Sequence, residues 1–162
     1  MLTKRHFIAG TALSLCHVAL VPNALAHGAR VGSLRIEHPY ALPSPTEPGQ
    51  WLVFFRGIRN SGNQADRLVG ANTPLASEVV LQRALAPRGK EPLAIPAMDL
   101  PPLVTTPMRH DLGEYRLLLK NLKQPIKPGD RFDLTLTFQN AGTETVKVYA
   151  QTAPDSTLEK HH

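Results

Sequence analysis

The sequence predicts an all-β domain, a Greek-key sandwich or barrel of about seven or eight strands. Three observations lead there. Fifteen prolines and eleven glycines punctuate 162 residues, a density that interrupts helices and suits short strands joined by turns. Several segments alternate apolar and polar residues with a period of two, the pattern of a half-buried strand. No stretch presents an ordinary helix. With 42% hydrophobic and 19% charged residues, the chain can bury one core and does not have the composition of a disordered protein.

The elements follow in chain order. Residues 1–26 read as an export signal. Lys4, Arg5 and His6 form a basic start, Phe7 to Val21 is an apolar run, and Ala24-Leu25-Ala26 is a small-x-small cleavage site. The run is shorter than the ~20 residues of a membrane span, so no span is expected after cleavage and the mature protein is expected in the periplasm. The domain then occupies residues 27–153, and residues 154–162 form a polar tail. Leu34 and Ile36 alternate with Arg35 and Glu37 in the first strand. A loop follows, stiffened by Pro39, Pro43, Pro45 and Pro48. Trp51 to Arg59 is apolar on both faces at Val53-Phe54-Phe55, which predicts a central strand. Asn60-Ser61-Gly62-Asn63 is a turn by composition.

Ala65 to Val69, Val79 to Leu85 and Tyr115 to Leu119 are further short strands. Pro128-Gly129-Asp130 turns the chain into Arg131 to Phe138, the clearest alternation present, with Phe132, Leu134, Leu136 and Phe138 on one face. Asn140-Ala141-Gly142 makes the next turn, and Thr143 to Tyr149 returns as an antiparallel hairpin.

Charge and cysteine exclude several classes. The chain carries a formal +5, from eighteen basic and thirteen acidic residues. Cleavage removes Lys4 and Arg5 and no acid, leaving +3. No Lys/Arg cluster interleaves with aromatics, so nucleic acid is not an expected partner. The single cysteine, Cys16, leaves with the signal, which excludes a disulfide framework and a cysteine-based zinc site. No Gly-x-Ser-x-Gly elbow, phosphate loop or His-Glu-x-x-His pair occurs, so no enzyme is expected.

Several segments are similar to the periplasmic copper chaperones of the PCu(A)C family. They are Leu34-Arg35-Ile36-Glu37-His38-Pro39-Tyr40-Ala41, Ile58-Arg59-Asn60-Ser61-Gly62, Asp66-Arg67-Leu68-Val69-Gly70-Ala71, Leu122-Lys123-Gln124-Pro125-Ile126-Lys127-Pro128-Gly129-Asp130, and Leu134-Thr135-Leu136-Thr137-Phe138 with Ala141-Gly142. The resemblance spans residues 31–149. It implies a cupredoxin-like fold that carries Cu(I) to an acceptor protein, such as a cytochrome oxidase assembly component. It also implies a ligand pattern of His-Met, ten residues, Met, twenty-one residues, His-x-Met. Thioether and imidazole suit Cu(I) because they are soft and need no deprotonation. Alignment on Val79-Val80-Leu81 and on Tyr115 puts Gln82 and Arg83 at the first pair, Ala94 at the next Met, and Arg116 and Leu118 at the last pair. The spacing is kept and the ligands are replaced.

Other donors remain as candidates for a relocated copper site. Cleavage after Ala26 would make His27 the mature N-terminus, whose α-amine and ring Nδ1 can close a chelate on one copper ion. Met98, Met108 and His110 lie in or beside the Pro-rich stretch Pro96 to Pro107. On a strand, Met108-Arg109-His110 would put sulfur and imidazole on one face. Against each stands a plainer reading: a terminal histidine on a frayed end, methionines that fill the core and a surface histidine. His38 before Pro39 is expected to pack a strand end, and His161-His162 is no defined site. Two function classes therefore stand, a copper carrier and a protein-interaction module on the same fold. In the second, Arg83 and Arg116 would offer a basic surface to carboxylates.

Overall fold

The structure is a computed structural model and describes residues 28–84, 91–112 and 114–153. Among these, the chain forms twelve strands and no helix. β1 (Gly28–Val31) and β2 (Leu34–Glu37) are joined by a tight turn at Gly32, whose φ of 55° suits a residue without Cβ. β3 (Tyr40–Pro43) precedes the ten-residue β4 (Trp51–Asn60). β5 (Asp66–Asn72), β6 (Ala76–Arg83), β7 (Leu93–Ala94), β8 (Met98–Leu100) and β9 (Thr105–Met108) follow. β10 (Tyr115–Leu122), β11 (Arg131–Phe138) and β12 (Gly142–Ala150) complete the chain.

The hydrogen-bonded order is β7-β6-β10-β4-β3-β12-β11-β5-β8, with β2 and β9 paired to β4 and β1 paired to β2. β3 runs parallel to β12 and the other pairs are antiparallel. β4 is the hub. Its first half pairs with β3 and β10, its second half with β2 and β9. A bulge between Phe55 and Ile58 separates the halves, and bulges bend the strand that carries them. Gly57 sits there because a Cβ would lie 2.6 Å from Thr105 Cγ2.

The alternating residues of β11 are buried as the pattern requires: Phe132, Leu134, Leu136 and Phe138. They join Val53, Phe55, Ile58, Leu117, Leu119, Val146 and Val148 in one main core. Each such side chain contributes about 1.5–3 kcal/mol by leaving water. A second, smaller cluster (Leu42, Leu52, Phe54 and Leu118) covers the opposite face of the β3–β4–β10 sheet. β4 is thus buried on both faces, as its run of consecutive apolar residues predicts.

Two buried polar residues close the loops. Asn60 is fully buried and donates from Nδ2 to the carbonyls of Gln64 and Leu100 while its Oδ1 accepts from Gly62 N and Ser33 Oγ. Asp66 accepts backbone N–H bonds from Arg67, Asn140 and Ala141, tying β5 to the β11–β12 turn.

The strand count exceeds the seven or eight expected. The Pro-rich loop after β2 contains β3, whose Pro43 sits at its end and leaves the ladder intact. The stretch from Pro96 to Pro107 contains β8 and β9, which pair with β5 and β4. These strands are two to four residues long and exist because a neighbour supplies the ladder, a signal that local alternation does not carry.

Candidate functional site

The register of β6, β7 and β10 assembles the positions at which the resemblance places the copper ligands. Gln82 faces Arg116 on β10 and Ala94 on β7. Leu118 lies two residues beyond Arg116, on the same face, paired with Val80 and Leu52. Three strands thus bring residues separated by as many as 36 sequence positions into one patch. The side chains there are an amide, a methyl, a guanidinium and an isobutyl group. Arg116 Nε donates to Gln82 Oε1 at 2.8 Å.

Arg116 is half-buried. Burial pulls its guanidinium below the usual arginine range, while Glu47 and Glu91 oppose that shift; the group stays protonated. None of the four side chains is a Cu(I) donor. Arg83 lies apart from Gln82, with its guanidinium 5.6 Å from the Tyr115 ring centroid and 3.3 Å from Glu114.

The other candidates separate into two groups. Met98 is 1% exposed and Met108 is fully buried, both in the main core. Met98 pairs with Leu68 and Met108 with Phe55, so both sulfurs pack against hydrocarbon. His110 is exposed. β9 ends at Met108, so the expected alternation stops there and the two side chains do not share a face. Met108 follows Phe55 into the core, whereas His110 packs edge-on against Phe54 and Tyr40, with ring centroids 6.0 and 5.8 Å away.

Tyr40 also holds the imidazole. Its hydroxyl lies 2.8 Å from His110 Nδ1 and accepts from His110 N at 3.2 Å. Nε2 is then directed away from that bond. A metal-binding imidazole is oriented in this way, by a partner on its other nitrogen. Burial raises the Tyr40 phenol, and the neighbouring Asp111 raises it further, against the His110 backbone bond and Arg109. Arg109 and Asp111 bind each other beside the ring, and Arg109 holds the Asp111 carboxyl below the usual range. Among the described residues no group of three or more His, Cys, Asp or Glu is arranged to hold a metal. His27, the signal and the tail histidines lie outside the described residues.

The model of the LpqE-like family, described as "Putative lipoprotein LpqE-like", matches residues 34–150. The chain belongs to the LpqE-like family. Solved structures extend the likeness to PCuAC domains. The copper-bound PCuAC domain from PmoF2 is 24% identical, with a TM-score of 0.66 over 78% of this chain and 99% of that one. The apo PmoF2 PCuAC domain is 27% identical, with a TM-score of 0.62 over 80% and 98%. The solution structure of CuI-DR1885 from Deinococcus radiodurans is 22% identical, with a TM-score of 0.59 over 79% and 83%. No curated protein matches. This LpqE-like chain therefore has the all-β cupredoxin-like fold of PCuAC copper-chaperone domains.

Tyr40 and Phe54, which hold His110, gave no local signal of that role. They are 70 and 56 positions away in sequence and meet His110 only through the β3–β4 pairing and the turn after β9.

Proposed function

We propose that the protein is an exported copper carrier of the PCuAC type whose metal site has moved off the inherited ligand patch. It loads copper at the mature N-terminal His27 and at His110, and passes it to a periplasmic acceptor such as a cytochrome oxidase assembly component. The observation that carries this reading is His110 itself: an exposed imidazole fixed through Nδ1 by Tyr40, on the sheet face that also bears Gln82 and Arg116. Met98 and Met108 serve as core, because a buried thioether reaches copper only by disrupting its packing. Among the described residues no helix is long and apolar enough to cross a membrane.

A copper titration of the mature chain beginning at His27 tests the proposal, beside a chain with one extra N-terminal residue and a His110→Ala chain. Stoichiometric copper on the first, weakened in each of the others, supports it. Absence of stoichiometric copper on the first overturns it.

A second reading, a protein-interaction module without metal, is favoured by one observation. A permanent cation, Arg116, occupies the patch where the resemblance places a ligand, and guanidinium binds carboxylates in a bidentate fork. On that reading, capture of a partner from periplasmic extract is independent of copper and is lost in Arg83→Glu/Arg116→Glu.

A further inference from the structure

The N-terminal half of the fold carries a second surface, remote from the ligand patch. Arg30 faces Arg35, and Arg35 faces Arg59, as successive partners across β1, β2 and β4. Neighbouring strands lie about 4.8 Å apart, so the three α-carbons fall within about 10 Å. Arg56, at the β4 bulge, is also exposed. Like charges placed directly opposite one another destabilise a sheet. Compensation within the surface is slight. Glu37 approaches Arg35 at 3.6 Å, and among the described residues Arg30, Arg56 and Arg59 form no ion pair. The adjoining row contains Gly28 and Gly57 opposite Glu37, which leaves the face low and approachable.

One further observation identifies the partner. The row ends on Thr105, the Cα partner of Arg59, and just before it Leu103 and Val104 stand 67% and 46% exposed. Both are anchored at the end of β4, with Asn60 N donating to Val104 O and Leu103 N to Gly62 O. Leu103 is held at a φ of 60°, a conformation costly for a branched side chain. An exposed aliphatic side chain, Leu103, at the end of a row of unpaired guanidinium groups matches a lipid interface, where headgroup phosphate meets hydrocarbon. An acidic peptide would use the arginines and leave Leu103 without a partner.

We propose that the Arg30–Arg35–Arg59 row, with Leu103, docks the domain on an anionic phospholipid surface. The guanidinium groups engage headgroup phosphates, and the Leu103 side chain enters the boundary beneath them. The proposal draws on the export reading for its location but not on copper, so the two fail separately.

Co-sedimentation of the copper-free mature chain with vesicles tests it. One vesicle set is phosphatidylcholine alone; the other contains phosphatidylglycerol. Binding is expected only to the second, falling as salt rises. Arg30→Glu/Arg59→Glu should weaken it at least about tenfold, since each basic residue near such a surface contributes about 1 kcal/mol. Leu103→Asp should weaken it as well. Arg131→Glu changes net charge as much as either single reversal but lies on β11, and should bind as the parent does. Circular dichroism confirms that each variant is folded. The proposal is overturned by no binding to phosphatidylglycerol vesicles or by equal binding to both sets. It is also overturned if Arg131→Glu costs as much as Arg59→Glu, or if binding survives Arg30→Glu/Arg59→Glu. Capture of soluble polyglutamate in place of vesicles assigns the row to an acidic protein and overturns the lipid assignment.

Discussion

Met108 and His110 stand two residues apart and have opposite fates. The first is fully buried beside Phe55; the second is exposed against Phe54. Consecutive residues of β4 point to opposite faces, so each candidate follows its own partner. Met108→Ala is expected to destabilise the fold by about 2–5 kcal/mol through the cavity it leaves, measured by urea denaturation, and to leave copper stoichiometry unchanged. Loss of copper from a folded Met108→Ala chain would contradict the assignment.

Tyr40 gives a pH signature at the same scale. Burial raises its phenol above the ordinary value of 10.0, so the folded state favours the neutral form. That contribution is complete below a pH of about 10 and is lost as pH rises through the folded value. Tyr115 is raised in the same sense, by burial and then by Glu114. The urea midpoint should therefore fall on the alkaline side, and Tyr40→Phe should remove part of that fall. An unchanged alkaline slope in Tyr40→Phe would count against a raised Tyr40 phenol.

At the scale of elements, the patch at which the resemblance places ligands is a matter of register. Ala94, Gln82 and Arg116 are successive partners across β7, β6 and β10, so the backbone brings these positions together. The combined variant Gln82→His, Ala94→Met, Arg116→His and Leu118→Met should therefore gain stoichiometric Cu(I), measured by competition with a Cu(I) chelator. No gain would show that the strands no longer present these positions to one ion. Long alternating strands such as β11 and β12 were legible from sequence, because half-burial imposes a period of two. β3, β7, β8 and β9 were not. Each is too short to show a period, and prolines at Pro39, Pro43, Pro101 and Pro102 mask them as loop.

For the whole molecule, the two surfaces belong to the two halves of β4. Phe54, against His110, and Arg59, in the arginine row, are five residues apart with a bulge between them, roughly 16 Å along an extended strand. Separated sites without shared partners act additively. Arg59→Glu should leave copper stoichiometry as it is, and His110→Ala should leave vesicle binding as it is. A cross-effect in either titration would show that the halves are coupled.

The sequence by itself determined the class of fold and the longer strands, because period and punctuation are local properties. Only the tertiary structure decided which candidates face water. It buried Met98 and Met108, set His110 against Tyr40, and aligned Arg30, Arg35 and Arg59 from separate strands. Those outcomes depend on strand pairing between residues distant in sequence. Pairing fixes which face each side chain takes, and a shift of one residue would reverse it.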